Sequence, residues 1–490
     1  MVLHNIVKMS NLQTRLGRSL TLTIFDLPTE VLGEIFAQCN NPAIWETCKA
    51  FVTVAFSTTS LWTTVIIRHP HQFTTDGPPI LRERISRARG RLLDMCIGLY
   101  TEHTAEISAM CKVLSEFKAQ IHRFELITHR TMTAGAIVCD IFPKSGAIPA
   151  LKVFSALSEY ESTKPSAWPQ LDLVLVNASK MFPNLRKLHM NSFHDTLQIL
   201  PSFASFSQLT TLILDGSLER YSSCPWRIAA LLHCTPQLES LWMKHYLWDK
   251  SNNLSEWCAI KGRSISQNIQ LPKSKHLAVS VPGTACDLIG CIAAPVLEDL
   301  HLDGSREPMD VDYAHSPEEW THSVLDSVYN TLKFLALRCQ NVRRFAITEA
   351  YLERSSWEWL LFGEDGRGPP FPKLECIALH GVLFHMPFTW NYFDDELMEK
   401  FARNPKIPLK KLTLLHCNLL LSASVLVDAF RASGVKEIEC DEEVPQWEGG
   451  EKDQFDELRV SLMQWHKSQL VNDGWWTYGH WIDATDSGAH

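Results

Sequence analysis

One short pattern recurs along most of this chain: an apolar residue, two variable residues, a second apolar residue, one variable residue and a third apolar residue. Alternating apolar positions of this kind are typical of short strands that bury one face, so the repeat constrains the fold more than any other feature. Eleven copies occur, three of them weaker than the rest. They begin at Ile121, Leu151, Leu185, Leu209, Leu238, Ser274, Leu297, Val342, Leu374, Leu409 and Val435.

The spacing of the copies predicts a solenoid. From Leu185 onward, successive copies begin 23 to 45 residues apart, which leaves room for a helix between most strands. The segments 316–339 and 422–433 are the clearest helical returns. Because one such unit cannot bury its apolar face alone, neighbouring units must stack. We therefore predict an α/β fold in which parallel strands with helical or loop returns form a leucine-rich-repeat-like solenoid.

The predicted solenoid departs from a regular leucine-rich repeat. Regular repeats carry Asn or Cys three positions after the last apolar residue of the strand. Cys417 is the main residue of that type here. Other copies carry Phe193, Ser217, Tyr246, Ser305 and Val382 at this position. We therefore expect a degenerate repeat domain with irregular curvature.

A compact helical module is predicted over residues 24–67. Pro28 suits the first turn of a helix, Glu30 is favourable near its positive end, and Pro42 stops it. A module of about 45 residues is too small to bury a continuous apolar stripe by itself, so the stripe needs a partner surface. The stripe of this first helix consists of Val31, Leu32, Ile35, Phe36 and Cys39.

The same module resembles the F-box, and most closely the large F-box-like family of mushroom-forming fungi. The resemblance implies docking on a Skp-family adaptor and, through it, on a cullin-RING ubiquitin ligase of the SCF type. Two departures are Phe51, where the family usually has Trp, and a short junction at 40–46. The motif residues are Leu27, Pro28, Glu30, Val31, Leu32, Ile35 and Phe36, with TCKAF at 47–51 and STTSLW at 57–62.

The resemblance also implies which residues contact the adaptor. An alternative is that the apolar stripe packs on the first repeat and serves only as a cap of the solenoid. The implied adaptor-binding residues are Leu27, Pro28, Glu30, Val31, Leu32, Ile35, Phe36, Cys48 and Phe51.

The sequence divides into five predicted segments. The last of them combines an acidic run with a candidate capping helix at 455–471 and a Trp-rich tail that either packs on the last repeat or does not. The segments are a disordered leader over 1–23, the F-box over 24–67, a helical linker and solenoid cap over 68–118, the solenoid over 119–440, and the acidic and Trp-rich C-terminal segment over 441–490.

Strand alternation predicts which side chains are available for binding. The third and fifth positions of each copy point away from the buried face. Trp and Arg contribute most often to binding energy at interfaces. The alternative for Trp242 is that the insertion at 218–235 covers it. The predicted target-binding residues are His189, Ile213, Trp242, His301 and Arg344.

Several classes of partner and location are disfavoured. A net charge of −9 without a long basic run gives no footprint for nucleic acid. No stretch approaches the roughly 18 to 20 apolar residues of a membrane span. Fourteen scattered cysteines indicate a reducing compartment, so we expect a cytoplasmic or nuclear protein. The basic first 25 residues leave mitochondrial import as an alternative.

No motif for catalysis or cofactor binding is present. The Gly-rich segment 363–370 ends in two prolines rather than opening a helix, so a surface loop is the better interpretation. The acidic pair Asp310 and Asp312, and the histidines His380 and His385, do not form a ligand set at metal spacing. Lys187, Arg344 and Lys411 are interpreted as far apart in repeat order, so they predict no phosphate pocket. We expect no enzyme, no metal and no cofactor.

The sequence therefore favours a substrate receptor in which the F-box binds an adaptor and the repeats bind an unidentified target protein. One alternative is a repeat scaffold that binds partners without recruiting a ligase. A third class, a hydrolase or transferase with a site between repeats, has no residue set to support it.

Overall fold

The computed structural model describes about half of the chain, and this part divides into two compact units. The first comprises Met1–Asn191 and Thr196–Gln208, and the second Ser192–Asp195 and Leu209–His490. The described residues are 31–32, 54, 58–67, 77–99, 104–142, 147–160, 181–191, 206–215, 225–244, 269–280, 288–289, 291–303, 329, 332–348, 351–363, 368–380, 382–385, 409–415, 417 and 423–440.

The first unit contains parallel strands, each beside the next strand in chain order. Short 3-10 turns at Thr59–Trp62 and Lys118–Gln120 lead into the first and third of them. The strands are β1 (Thr64–Ile67), β2 (Leu93–Leu99), β3 (Ile121–Arg130), β4 (Val153–Tyr160) and β5 (Lys187–Asn191), and the helices are α1 (Gly77–Ser86), α2 (Ala105–Glu116) and α3 (Thr131–Ile141).

The second unit repeats this arrangement with shorter strands. In chain order they are β6 (Thr211–Asp215), β7 (Ser240–Lys244), β8 (Ile269–Gln270), β9 (His276–Ser280), β10 (Ile292–Ala293), β11 (Asp299–Asp303), β12 (Arg344–Thr348), β13 (Tyr351–Glu353), β14 (Cys376–His380), β15 (Leu383–His385), β16 (Lys411–Leu415) and β17 (Glu437–Cys440). The main parallel sheet has the order β6, β7, β9, β11, β12, β14, β16 and β17. Two short parallel pairs, β8 with β10 and β13 with β15, lie outside it.

Helices occupy several of the connections in the second unit. They are α4 (Pro225–His233), α5 (Arg354–Phe362) and α6 (Ala423–Ala432), and residues 332–338 are also helical. The helical residues 332–338 and helix α6 lie within the two return segments predicted from the sequence. Strands joined by helical crossovers pair in parallel because the crossover returns the chain to the same edge.

All eleven predicted copies form strands, and the α/β class with parallel strands is confirmed. Six further strands lie outside the predicted copies: the short strands β8, β10, β13 and β15 of the second unit, and β1 and β2 of the first. β1 begins the sheet of the first unit, and Trp62, Val65 and Ile67 before and within it are buried at the spacing of the repeat. β2 lies in the stretch 68–118 that was predicted to be a helical linker.

Proline turns set the start of many strands. Residue four of each turn donates its backbone N–H to the carbonyl of residue one at 3.1 to 3.3 Å. Pro at the second position fixes φ near the value such a turn needs. The side chains at positions one and four of every turn are buried, so each turn fixes the chain to the core at two points. The turns are 148–151, 182–185, 235–238, 271–274, 294–297 and 371–374.

Aromatic rings form the core of the first unit. The Phe154 ring stacks between Phe124 and Phe182, with both pairs of centroids 5.7 Å apart. Phe142 meets the edges of this stack, 4.9 Å from Phe124 and 5.5 Å from Phe182. These contacts join successive repeats, because each ring of the stack comes from a different repeat.

The position that carries Asn or Cys in regular repeats is irregular here, as predicted. Cys417 is buried and its thiol donates to the carbonyl oxygens of Leu379 and Leu415, each at 3.4 Å. The thiol therefore bonds the backbone of its own repeat and of the preceding one. Val382, at the same position of the preceding repeat, is buried but apolar. The polar side chains that occupy this position in regular repeats therefore do not form a continuous row across these two described repeats.

The stacked rings predict a large effect of truncation. Phe154→Ala should lower the free energy of unfolding by about 3 to 5 kcal/mol, because it removes a fully buried ring and leaves a cavity between two others. Urea unfolding followed by circular dichroism measures the loss. Phe334→Ala is the matched control, since that ring is 47% exposed, and it should cost less than about 0.5 kcal/mol. Equal losses would contradict a repeat-spanning aromatic core.

Candidate functional site

The predicted adaptor-binding residues fall mostly outside the described residues. Val31 and Leu32 are described; both are helical, with Val31 37% exposed and Leu32 only 5% exposed. This agrees with a helix that has one buried side, and the docking role stays a prediction. The residues outside the described part are Leu27, Pro28, Glu30, Ile35, Phe36, Cys48 and Phe51.

The predicted outward positions lie together on the side of the second unit's sheet that we call the open face. It consists of the third and fifth repeat positions of β6, β7, β9, β11, β12, β14, β16 and β17. Each strand pairs with its neighbour without a register shift, so equivalent positions form straight rows. Ile213, Trp242, His301 and Arg344 all belong to this face. His189 belongs to the equivalent row of the first unit.

Trp242 is partly exposed on the open face. Its indole N–H donates to the Ser240 hydroxyl at 3.0 Å, which fixes the ring against its own strand. In register, Trp242 lies between Ile213 on β6 and Ala278 on β9. Ile213 is only 7% exposed, so the expectation that it is open for contact is not met. Adjacent strands are about 4.8 Å apart, and the larger neighbouring indole is the expected source of shielding.

An ionic cluster lies at the start of β9, β11 and β12. The Asp299 carboxylate accepts from His276 Nδ1 at 2.5 Å and from Arg344 Nη2 at 2.6 Å, and Arg344 Nε donates to its other oxygen. A guanidinium that bonds a carboxylate through two nitrogens is held in a fixed plane. Arg344 keeps 62% of its side chain exposed, so it is both oriented and accessible.

The charge of Asp299 is stabilised by these partners. Burial is the largest influence on its pKa and raises it, but the hydrogen bonds from His276 and Arg344, with their charges, together outweigh burial. The pKa of Asp299 is therefore lower than its ordinary value. The carboxylate remains ionised at neutral pH and continues to orient Arg344.

A second polar chain crosses the ends of β11 and β12. The Thr348 hydroxyl donates to the Asp303 carboxylate at 3.0 Å and lies 3.1 Å from His301 Nε2. Because the one hydroxyl hydrogen is directed to Asp303, Nε2 of His301 must be the donor in the other contact. This direction positions His301 on the face; it is opposite to that needed for a histidine base to take a proton from Thr348.

Small side chains separate two cations, Arg344 and Lys411, on the open face. Arg344, Cys376 and Lys411 are in register on β12, β14 and β16, so the two cations are about two strand spacings, roughly 10 Å, apart. The interpretation that Arg344 and Lys411 lie far apart is therefore wrong. Ala346 and Ala378 form the next row between the same strands.

The pKa of the Cys376 thiol, which lies between these two cations, is shifted by burial and by the surrounding charges. Burial is the main cause that raises its pKa, and Glu375 adds to the increase, whereas Arg344, Lys411 and Lys410 oppose it. Lys410 bonds Glu375 at 2.9 Å, and Lys411 lies 3.4 Å from Glu439. Cations and acids thus alternate across this part of the face.

The first unit has its own outward polar cluster, which the sequence analysis did not single out. Arg123 bonds the nearly buried Glu125 through Nε at 2.8 Å, and the Cys96 thiol lies 3.2 Å from the same carboxylate. Burial, followed by the charge of Glu125, raises the pKa of Cys96 to about 12. The Ser155 hydroxyl lies 3.3 Å from Nδ1 of His189. These residues could have been found from the sequence, because Arg123, Glu125 and Ser155 are third or fifth positions of the copies that begin at Ile121 and Leu151.

Neither a metal-binding cluster nor a membrane-spanning helix is present in the described ranges. Within them, no three His, Cys, Asp or Glu side chains come together in a way that suits a metal ion. Among the helices in those ranges, none has the length and apolar content to cross a membrane. The Asp310 and Asp312 pair lies outside the described residues, and His380 is buried.

Comparisons with known proteins give a weak structural likeness. No family model and no curated protein matches the sequence. Among solved structures, the chain is similar to one from the crystal structure of the Rad7 and Elc1 complex in yeast, at 11% identity. The match covers 78% of this chain and 93% of that chain, with a TM-score of 0.24. Because that score is low, the assignment of fold rests on the strands and their pairing.

The depressed pKa of Asp299 predicts a pH-dependent contribution to stability. A carboxylate with a lower pKa in the folded state stabilises the fold above the unfolded pKa, about 3.9, and loses this as pH falls through the folded pKa. Asp299→Asn should therefore lower the free energy of unfolding by about 1 to 3 kcal/mol at pH 7. The difference from wild type should shrink below pH 4 in urea unfolding.

The matched control for this measurement is Asp428→Asn. Asp428 lies on α6 with three quarters of its side chain exposed, 3.6 Å from Arg431. Exposed pairs of this kind contribute little, so the control should match wild type within about 0.5 kcal/mol at both pH values. A loss at Asp299 that is the same at pH 7 and pH 3 would show that the carboxylate charge is not responsible.

Proposed function

We propose that this protein is a non-enzymatic substrate receptor of an SCF-type ubiquitin ligase. Its F-box docks on a Skp-family adaptor, and the open face of the second unit binds a target protein. The adaptor connects the receptor to the cullin-RING ligase, which supplies the ubiquitin chemistry. The observation that carries the proposal is the open face itself: a parallel sheet whose outward rows present an oriented Arg344 and a partly exposed Trp242.

The open face has the physical properties of a protein-binding surface. Its side chains project from paired strands, so the backbone beneath them loses little freedom when a partner binds. Arg344 is held by Asp299 and Trp242 by Ser240, which reduces the entropy lost on binding. Residues of these two types supply most hot spots at interfaces. The face is thus suited to binding a folded or extended protein segment.

Side-chain chemistry on the face supports binding over catalysis. The hydroxyl of Thr348 is directed to Asp303, so His301 acts as its donor and not as its base. Burial, with the charge of Glu375, raises the pKa of Cys376, so this thiol is not activated as a nucleophile at neutral pH. We therefore propose that the receptor works without a cofactor or a metal of its own.

The sequence motif supports the adaptor half of the proposal. The helix that contains Val31 and Leu32 carries an apolar stripe of the kind that docks into a groove, and Val31 has 37% of its surface exposed. A cullin-RING partner would place the protein in the cytoplasm or the nucleus. The alternative, a scaffold in which the F-box serves as a cap, is favoured by Leu32, which is already buried.

Adaptor docking predicts loss of co-purification when the stripe becomes charged. Leu32→Asp with Phe36→Asp should abolish capture of a purified Skp-family adaptor, because two anchors of the groove contact become carboxylates. Val31→Asp tests the same contact at an exposed position that the fold tolerates, and should weaken capture by about tenfold or more. Arg344→Ala is the control and should bind adaptor like wild type.

The two functional alternatives give different outcomes in this experiment. A structural cap predicts that the double variant unfolds at a lower temperature while target binding and target half-life stay unchanged once it is folded. A substrate receptor predicts instead that the target has a longer half-life with the double variant than with the wild-type protein. Wild-type protein that fails to bind adaptor at micromolar concentration would refute the ligase connection.

Target binding by the open face predicts a separable loss. Trp242→Ala with Arg344→Ala should reduce target enrichment in proximity labelling about tenfold or more, because two oriented anchors are removed. Adaptor enrichment should remain at the wild-type level. Leu337→Ala, on an exposed helical return away from the face, is the control. Unchanged target enrichment in the double variant would place target binding elsewhere.

A further inference from the structure

The last described strand of the second unit has one side without a described neighbour. β17 pairs with β16 along Glu437 to Cys440, and no described strand pairs with its other edge. Glu437 donates its N–H to Lys410 on the β16 side at 3.0 Å. Successive residues of a parallel strand direct their backbone groups to opposite sides, so the N–H and carbonyl of Ile438 point to the outer edge. Such an edge is a template for another strand.

The buried side of β17 differs from that of every other strand in this sheet. On β16, Leu412 and Leu414 are 0% and 2% exposed, and inward side chains of the preceding strands are buried in the same way. On β17, Ile438 and Cys440 occupy these rows but remain partly exposed. The apolar row therefore continues to the edge and is covered there less completely. A further strand with apolar inward residues would extend this row.

The outward side of β17 is acidic. Glu437 and Glu439 are exposed, and Lys411 on β16 is in register with Glu437 and 3.4 Å from the Glu439 carboxylate. Lys411 is one cation for two carboxylates, so the outer side of β17 retains negative charge. Oppositely charged side chains on adjacent strands stabilise a pair, and like charges destabilise it. A strand added at this edge is favoured when its outward residues are basic.

We propose that the outer edge of β17 binds an extended segment of a partner protein in which Lys or Arg alternates with apolar residues. The segment adds a strand to the sheet. Its backbone bonds the N–H and carbonyl of Ile438, its apolar residues cover Ile438 and Cys440, and its basic residues pair with Glu437 and Glu439. The site lies at the last strand of the open face, three strands from Arg344 on β12, so it does not depend on target binding by Trp242 and Arg344.

Charge disfavours two other occupants of the edge. A second copy of the chain, paired through a twofold axis, would place its own Glu437 and Glu439 beside this pair, with four carboxylates on one face. The chain that follows β17 carries eight acids and one lysine over 441–457, so a strand from it would add like charge. A basic partner segment relieves the repulsion that both of these create.

The test uses the full-length protein and labelled model peptides. Fluorescence anisotropy should show saturable binding of acetyl-VKVKVK-amide to wild type and at least about tenfold weaker binding of acetyl-VEVEVE-amide, since two reversed charge pairs are worth roughly 1.4 kcal/mol. The variant E437K/E439K should reverse this preference. A VKVKVK peptide with every backbone amide N-methylated should bind at least about tenfold more weakly, because neither of its edges can donate strand hydrogen bonds.

Each contrary result has a distinct meaning. No saturable binding of the lysine peptide by wild type would show that the edge is already covered, and would overturn the proposal. Equal binding of the N-methylated peptide would show charge attraction without strand addition, with the same consequence. A change of oligomeric state in E437K/E439K on size exclusion would assign the edge to a second copy. Circular dichroism of the variant, whose changed residues are exposed, confirms that it is folded.

Discussion

The structure depends on one constraint: a single repeat cannot bury its apolar residues, so every repeat must be covered by its neighbours. Parallel pairing in constant register satisfies this constraint across the second unit. A slip by one residue would turn the buried row toward solvent on that strand. Proline turns reduce the chance of a slip at the strands they precede, because each turn fixes two buried residues before β4, β5, β7, β9, β11 and β14. The register is thus set by burial and by turn geometry together.

Constant register also brings distant residues together on the outer side. His276 and Asp299 are 23 residues apart in the sequence, and Arg344 follows Asp299 by 45, yet all three side chains meet at adjacent strands. The segments that connect these strands differ in length, but this does not change the alignment of the outward side chains in rows. Long or irregular returns are therefore compatible with an ordered open face. The same alignment places Thr348 between His301 and Asp303.

The sequence was sufficient for those parts of the fold that follow from periodicity. Eleven strands and their outward rows were predicted because each depends on alternation within one copy. β2 was missed because it lies before the first copy, in the region predicted to be a helical linker, although Leu93, Met95 and Ile97 alternate within it. The bonds of Thr348 and the burial of Ile213 depend on neighbouring strands, and no pattern within one copy contains that information. The predicted F-box helices lie mostly outside the described residues.

The charges of the open face constrain how it can recognise a partner. Arg344 bonds Asp299, and Lys411 lies close to Glu439, so the arginine and the lysine of this face each have an acid beside them. Such pairs cancel at distance, so away from the acidic strand β17 a partner approaching from solvent experiences little net attraction. The same pairs hold side chains in place, which favours binding at short range. The proposed recognition on this face would therefore depend on shape and on a few oriented side chains, since a parallel-sheet fold by itself does not specify a function.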